Sequence, residues 1–121
     1  MPPVQSHRDL IVWQKSMDLV VLVYELTAKL TRSEAYRLTD QMSRAVVRVP
    51  ANIAEGHERS AARDYAHFLT IAKGSLMELE TYLILCVRLG YYTEAETAPA
   101  RALVTEISKM LAVLRRRLAP R

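Results

Sequence analysis

The sequence predicts an all-α fold, in which a single domain over residues 1–121 forms an antiparallel, up-down-up-down four-helix bundle. Apolar residues recur at steps of three and four through four segments, at about residues 9–30, 35–56, 60–89 and 95–118. The connections between these segments are short, about three to six residues, and short connections favour antiparallel neighbours. No alternating strand pattern or internal repeat competes with a helical interpretation.

The first helix, at about residues 9–30, has two apolar faces. One face contains Leu10, Trp13, Met17, Val20, Tyr24 and Ala28, and we expect it to pack in the bundle. A second set lies around the side of the helix and contains Val12, Leu19, Leu22, Val23, Leu26 and Leu30. A surface helix of a monomer usually has one apolar stripe, so the extra face predicts a contact between subunits.

The second helix, at about residues 35–56, contains a proline and ends in a glycine. Pro50 removes one backbone donor and crowds the Val46 carbonyl, at a cost of roughly 3 kcal/mol, and it predicts a bend. Gly56 follows the last periodic residues and is expected to form a left-handed cap. The inward residues are Leu38, Met42, Ala45, Val46, Val49 and Ile53, and the opposite side carries Arg37, Gln41, Arg44, Arg48, Asn52 and Glu55.

The third and fourth helices are defined by their caps and stripes. Ser60 is expected to cap the third helix and Gly90 to end it, with Tyr65, Leu69, Ala72, Leu76, Leu79, Leu83 and Cys86 facing inward. Thr93 and Glu96 have the spacing of a capping box for the fourth helix, although Pro99 leaves its first turn open. Its inward residues are Ala100, Leu103, Ile107, Met110, Leu114 and Leu118.

Polar residues on two of these helices predict a hydrogen-bond network between them. Asn52 and Glu55 share a face of the second helix, and Ser75 and Glu78 repeat that relation on the third. We expect this network to fix helix register and to satisfy backbone groups freed by Pro50. A functional version of it would lie at a groove between subunits.

The charge balance favours an anionic partner. Seventeen Lys and Arg against thirteen Asp and Glu give a net charge of +4, and most of the positive residues are arginine, which suits phosphate recognition. The candidate nucleic-acid-binding residues are Arg37, Arg44, Arg48, Arg63, Arg115, Arg116 and Arg117. For the last three, complementing the dipole of the helix C-terminus is an equally good explanation.

Composition and spacing argue against a membrane protein, a secreted protein and an enzyme. No apolar run approaches the ~20 residues that a membrane span needs, and no secretory signal is evident, so a cytoplasmic location is expected. A di-metal site in such a bundle would need paired Glu-x-x-His units, and only Asp64-x-x-His67 comes close to one. We therefore predict no metal, no cofactor and no catalysis.

Three segments resemble a known family, the four-helix bundle proteins encoded in intervening sequences of bacterial 23S ribosomal RNA genes. They are residues 9–15 (DLIVWQK), residues 38–42 (LTDQM) with residues 49–56 (VPANIAEG), and residues 72–81 (AKGSLMELET). The resemblance implies a cytoplasmic, left-handed bundle that assembles into homo-oligomers, with pentamers typical of the group. The accessory variability determinant of diversity-generating retroelements is similar to this family more distantly, and it is a basic, ring-forming protein that binds nucleic acid. This chain has Arg48 where relatives commonly have serine.

Two functional hypotheses follow from these observations. In the first, a non-enzymatic homo-oligomer binds RNA or a nucleoprotein through its arginines, with weak sequence selectivity. In the second, the oligomer is a scaffold for a protein partner and does not bind nucleic acid directly, and its positive charge serves solubility.

Overall fold

A computed structural model of the chain describes residues 3–31 and 33–119. Within these ranges it contains four long helices and no strand: α1 (Ile11–Ala28), α2 (Tyr36–His57), α3 (Ala62–Arg88) and α4 (Glu94–Leu118). Short 3-10 turns precede α1 (His7–Asp9) and α2 (Ser33–Ala35). The all-α prediction is confirmed, and each helix begins and ends within two residues of its expected position. None of the described helices combines the length and apolar character that a bilayer crossing requires.

The four helices occupy the corners of a square. Each helix packs against its neighbours in the order α1, α2, α3, α4 and back to α1, and among the described residues the backbones of α1 and α3, and those of α2 and α4, do not approach each other closely. Near the start of α2, the sulfur of Met42 lies 3.8 Å from that of Cys86 near the end of α3. At the other end, Gly56 of α2 lies against Phe68 of α3.

The core runs through the centre of this square and draws on all four helices. Its largest fully buried side chains are Leu19, Val23, Met42, Val46, Val49, Ile53, Leu69, Leu76, Leu79, Leu83, Ile107 and Leu111. Fully burying one such side chain stabilises the fold by about 1.5–3 kcal/mol relative to exposing it. The inward positions predicted for α3 are confirmed, although Tyr65 is only half-buried. Burial raises the pKa of the Cys86 thiol, in line with a structural cysteine.

The prediction for α1 assigned the wrong face to the core. The buried face is the one at Val12, Leu19 and Val23, whereas Met17 and Tyr24 are 41% and 49% exposed. Both faces are similarly apolar, so the spacing of α1 does not distinguish between them. The buried face also contains a polar residue that the prediction did not include, Ser16, which is fully buried. Its hydroxyl donates to the Val12 carbonyl at 2.7 Å, so it keeps a hydrogen-bond partner in the core.

Gly56 is not a helix cap, contrary to the sequence prediction. Helix α2 continues through it to His57, and the only positive φ in the described residues belongs to Gly90, at 80°. A Cβ atom at Gly56 would lie 2.9 Å from the Cβ of Phe68. The missing side chain therefore lets α2 and α3 approach closely. Pro50 is buried inside the same continuous helix.

The caps of the last two helices differ in how well they were predicted. Helix α3 begins at Ala62 with Ala61 at its N-cap and no side-chain cap bond, so the prediction of Ser60 as the N-cap was wrong by one residue. The capping box of α4 is confirmed, because Thr93 Oγ1 accepts from the Glu96 amide at 3.1 Å and Glu96 Oε1 accepts from the Thr93 amide at 2.9 Å.

Candidate nucleic-acid interface

A groove of about 980 Å³ lies between the N-terminal end of α3 and the C-terminal end of α4. We call it the arginine groove, and it is lined by Ala62, Arg63, Ala66, Ala112, Arg115, Arg116, Leu118 and Ala119. It forms because the start of α3 packs beside the last turns of α4, and because the four alanines leave space between the two helices. Arginines from both helices therefore border a single depression.

The chemistry of the arginine groove suits an anion. Its lining contains Arg63, Arg115 and Arg116 but no carboxylate, and none of these three guanidinium groups has an ion-pair partner within the described ranges. Arg63 and Arg116 are exposed and Arg115 is half-buried. A guanidinium presents several donors in a planar fork that matches the oxygens of a phosphate. The groove thus offers three guanidinium groups to an anionic ligand.

The helix dipole explains only some of these arginines. Arg115 and Arg116 lie in the last turn of α4, where a cation gains about 0.3–1 kcal/mol from the negative end of the helix. Arg63 lies in the first turn of α3, where the positive end of the helix disfavours a cation. The helix dipole therefore does not explain why Arg63 lies beside Arg115 and Arg116. A role for Arg63 in binding an anion would explain it.

The seven arginines predicted from the sequence do not form one site. Arg37, Arg44 and Arg48 are exposed on α2, which lies diagonally across the bundle from α4. Arg44 also pairs with Asp40, with 3.2 Å between Nε and Oδ2, an exposed pair of a kind that contributes little to stability. Arg117 borders a different groove, on the α1 side of α4. Only three of the seven arginines line the arginine groove.

The predicted polar network between α2 and α3 is absent from the described residues. Asn52 instead donates to the Arg48 carbonyl one turn back, at 2.8 Å, and Glu55 pairs with Arg59 one turn ahead. Both partners lie on the same stretch of chain, so no bond to the next helix is needed. The other two members of the predicted network differ in exposure, since Ser75 is buried and Glu78 is exposed.

Sequence reasoning missed a cluster of histidines where the first 3-10 turn meets the end of α2. The Nδ1 atoms of His7 and His57 lie 3.6 Å and 4.0 Å from Glu58 Oε1, and both are buried without a hydrogen-bond partner among the described residues. The His7 ring also packs edge-on against Trp13, with 5.2 Å between centroids. Because His7 is far from His57 and Glu58 in the sequence, no local motif indicates the cluster. Within the described ranges, no group of three or more His, Cys, Asp or Glu is placed to hold a metal ion.

Comparison with known proteins identifies the family. A model of the 23S rRNA-intervening sequence protein family matches residues 8–113. Among solved structures, the chain is similar to a crystal structure of a protein of unknown function from the S23 ribosomal protein family of Bacteroides thetaiotaomicron. That similarity has a TM-score of 0.81 and 26% sequence identity, and it covers 87% of this chain and 98% of the other. No match was found among curated proteins. The family match spans most of the chain and the fold agrees, so the protein belongs to the 23S rRNA-intervening sequence protein family.

Proposed function

We propose that the protein is a non-enzymatic, homo-oligomeric RNA-binding protein that contacts RNA, free or in a nucleoprotein, through the arginine groove. The observation that carries this proposal is the convergence of Arg63, Arg115 and Arg116 on one groove without a carboxylate. Guanidinium groups bind the phosphates that every RNA sequence shares, and the lining offers no aromatic ring on which a base could stack. Binding is therefore electrostatic and weakly selective for sequence.

The number of arginines sets the expected salt dependence. If three arginines neutralise three phosphates, the groove contributes a slope of about −2 to a plot of log affinity against log salt for single-stranded RNA, from roughly −0.7 per phosphate. A rise from 50 to 200 mM salt then weakens this contribution by roughly 20-fold. Arginines elsewhere on the chain add to the total slope.

The test compares two triple variants of equal charge. The groove variant is Arg63→Gln, Arg115→Gln, Arg116→Gln, and the control on α2 is Arg37→Gln, Arg44→Gln, Arg48→Gln. Each variant removes three positive charges, so the net charge falls from +4 to +1 (4 − 3 = 1) in both. Binding of a labelled single-stranded RNA is measured over a salt series by fluorescence anisotropy, with circular dichroism to verify that each variant folds.

We expect the groove variant to lose about tenfold or more in affinity at low salt and its slope to become shallower by about 2, with a smaller effect in the α2 control. Equal losses in both variants would show that total charge, and not the arginine groove, determines binding. Absence of RNA binding by the wild-type protein at low salt would refute the proposal itself.

Self-assembly of the chain is supported by the outer face of α1. Met17, Val21 and Tyr24 are 41%, 57% and 49% exposed, an apolar surface that a second subunit can cover. The contacts between the ends of α2 and α3 support an antiparallel arrangement of these two helices, which the proposed up-down-up-down order requires. The left-handed twist, the pentameric state and the cytoplasmic location stay predictions from the family resemblance. A strict monomer at micromolar concentration, measured by sedimentation, would exclude self-assembly.

The scaffold hypothesis is the second candidate, and a different observation favours it: a large apolar groove on the α1 side of α4. A protein partner that stays bound after nuclease treatment would support a scaffold. Loss of all partners on nuclease digestion would favour the RNA hypothesis instead.

A further inference from the structure

An apolar depression lies between the N-terminal segment and the last turns of α4. This apolar groove, with a volume of about 990 Å³, has Leu10, Met110 and Leu114 on its floor and Val4, Ile11 and Val113 along its walls. The three floor residues are half-buried and pack against the core. The three wall residues are 53%, 49% and 38% exposed. Apolar side chains of both walls therefore face solvent across a preformed channel, which is typical of a binding surface.

The charges that border the apolar groove are arranged along one wall. Lys109, Val113 and Arg117 follow each other at intervals of four residues, so they form a single ridge of α4. Eight residues separate the two cations, which corresponds to about 12 Å at 1.5 Å per residue. Neither cation has an ion-pair partner among the described residues. The ridge thus presents the apolar side chain of Val113 between two free positive charges.

The one acidic residue of the apolar groove is already engaged. Asp9 Oδ2 accepts hydrogen bonds from the backbone amides of Gln5 and Ser6, at 2.9 Å and 3.2 Å. These bonds hold the N-terminal segment in place as one wall, and they favour the charged form of the Asp9 carboxylate on that wall. The positive charges offered to a ligand are those of Lys109 and Arg117, on the α4 wall.

We propose that the apolar groove docks an amphipathic helix of a partner protein, with apolar residues at helical spacing between two acidic residues about two turns apart. A helix laid along α4 places residues i and i+7 or i+8 about 11–12 Å apart, which matches the separation of the two cations. Its apolar face covers the walls and floor, as in other helix-in-groove complexes. A base of RNA is a poor occupant because the lining contains no aromatic ring. This inference is independent of the arginine groove.

The probe for this proposal is a labelled synthetic helix with leucines at helical spacing and glutamates at positions i and i+7. There are two control peptides. One has the same composition as the probe, with the glutamates at i and i+3, and the other has lysines in place of the glutamates at i and i+7. Binding is measured by fluorescence anisotropy with the full chain. The groove variants are Val113→Glu and the pair Lys109→Glu, Arg117→Glu, and the matched control is Val47→Glu, on α2, where the side chain is 39% exposed and lies outside the lining of the groove.

We expect the i and i+7 peptide to bind at least about tenfold more tightly than either control peptide. Val113→Glu is expected to weaken that binding at least tenfold, whereas Val47→Glu changes it less than twofold. The charge-reversed pair is expected to switch preference to the lysine peptide, a result that a loss of folding cannot produce. Equal binding of all three peptides, or insensitivity to Val113→Glu, would overturn the proposal. So would a sedimentation result in which Val113→Glu alone dissociates an oligomer, because a second copy would then occupy the groove.

Discussion

Replacing Gly56 by alanine tests the close approach of α2 and α3. A Cβ atom at this position would lie 2.9 Å from the Cβ of Phe68, 3.0 Å from Tyr65 Cδ1 and 3.3 Å from the Tyr65 carbonyl oxygen. Carbon atoms pack best at about 3.5–4.0 Å, so the contact with Phe68 is too short by about 0.6 Å or more. The Phe68 Cβ is attached directly to the backbone of α3 and cannot rotate away. The two helices must therefore separate.

The expected magnitude is the difference between two opposing effects. Overpacking of this kind costs about 1–3 kcal/mol, whereas alanine in a helix gains up to about 1 kcal/mol over glycine. Near the end of α2 that gain is smaller, so we expect Gly56→Ala to lower the free energy of unfolding by about 1–2 kcal/mol. This corresponds to a Tm lower by roughly 3–10 °C.

Gly74 provides the matched control. It is exposed within α3, and a Cβ atom there would meet nothing within 4 Å. Gly74→Ala is therefore expected to raise the free energy of unfolding by about 0.5–1 kcal/mol. Urea unfolding followed by circular dichroism, at one fixed protomer concentration, measures both variants. If Gly56→Ala stabilises the protein as much as Gly74→Ala does, the close contact between α2 and α3 does not exist in solution.

Four further predictions concern the end of α3 and the start of α4, and the same unfolding measurement checks them. Gly90→Ala should lower the free energy of unfolding by about 1 kcal/mol or more, because φ at Gly90 is 80°, and an unchanged value would contradict the left-handed turn. Tyr92→Phe should leave stability unchanged or raise it, because the buried Tyr92 hydroxyl has no hydrogen-bond partner among the described residues, and a loss above about 1 kcal/mol would reveal a missing partner. Thr93→Ala should cost about 1 kcal/mol through loss of the cap. The hydrogen bond from the Thr93 amide also lowers the pKa of Glu96 from its ordinary value. The stabilisation from Glu96 is therefore complete above its unfolded-state pKa and is lost as the pH falls through the lower folded-state pKa. Glu96→Gln should reduce this loss of stability at acid pH.

The sequence predicted the fold well where polar residues mark the outer side of a helix. In α2, Arg44 and Arg48 lie opposite Met42 and Val49, so the inward face was clear. In α1 no charged stripe separates the two apolar faces, and only packing against α2 and α4 decides that Leu19 faces the core. A glycine near the end of a helical pattern resembles a cap, and the contact between Gly56 and α3 depends on tertiary structure.

The sequence predicted which residues belong to the candidate site, but not how they are arranged in space. Arg63 and Arg115 could be named from charge alone, but their shared groove depends on how α3 packs beside α4. The apolar groove has no sequence signal, because Val4 and Val113 belong to opposite ends of the chain. The prediction also did not allow for hydrogen bonds within one helix. Asn52 donates to the Arg48 carbonyl one turn away, so it does not bond to α3.

The small size of the arginine groove has a consequence for affinity. Three phosphate contacts place one chain in the weak range of non-specific binding, with a Kd of roughly 10⁻⁴–10⁻⁶ M. An assembly of identical chains repeats the groove once per subunit, and a single RNA that reaches two grooves binds the second at a high effective concentration. Such avidity can exceed the affinity of one groove by about 10²–10⁴-fold. The same surface would then distinguish long RNA from short RNA by length, without reading a base.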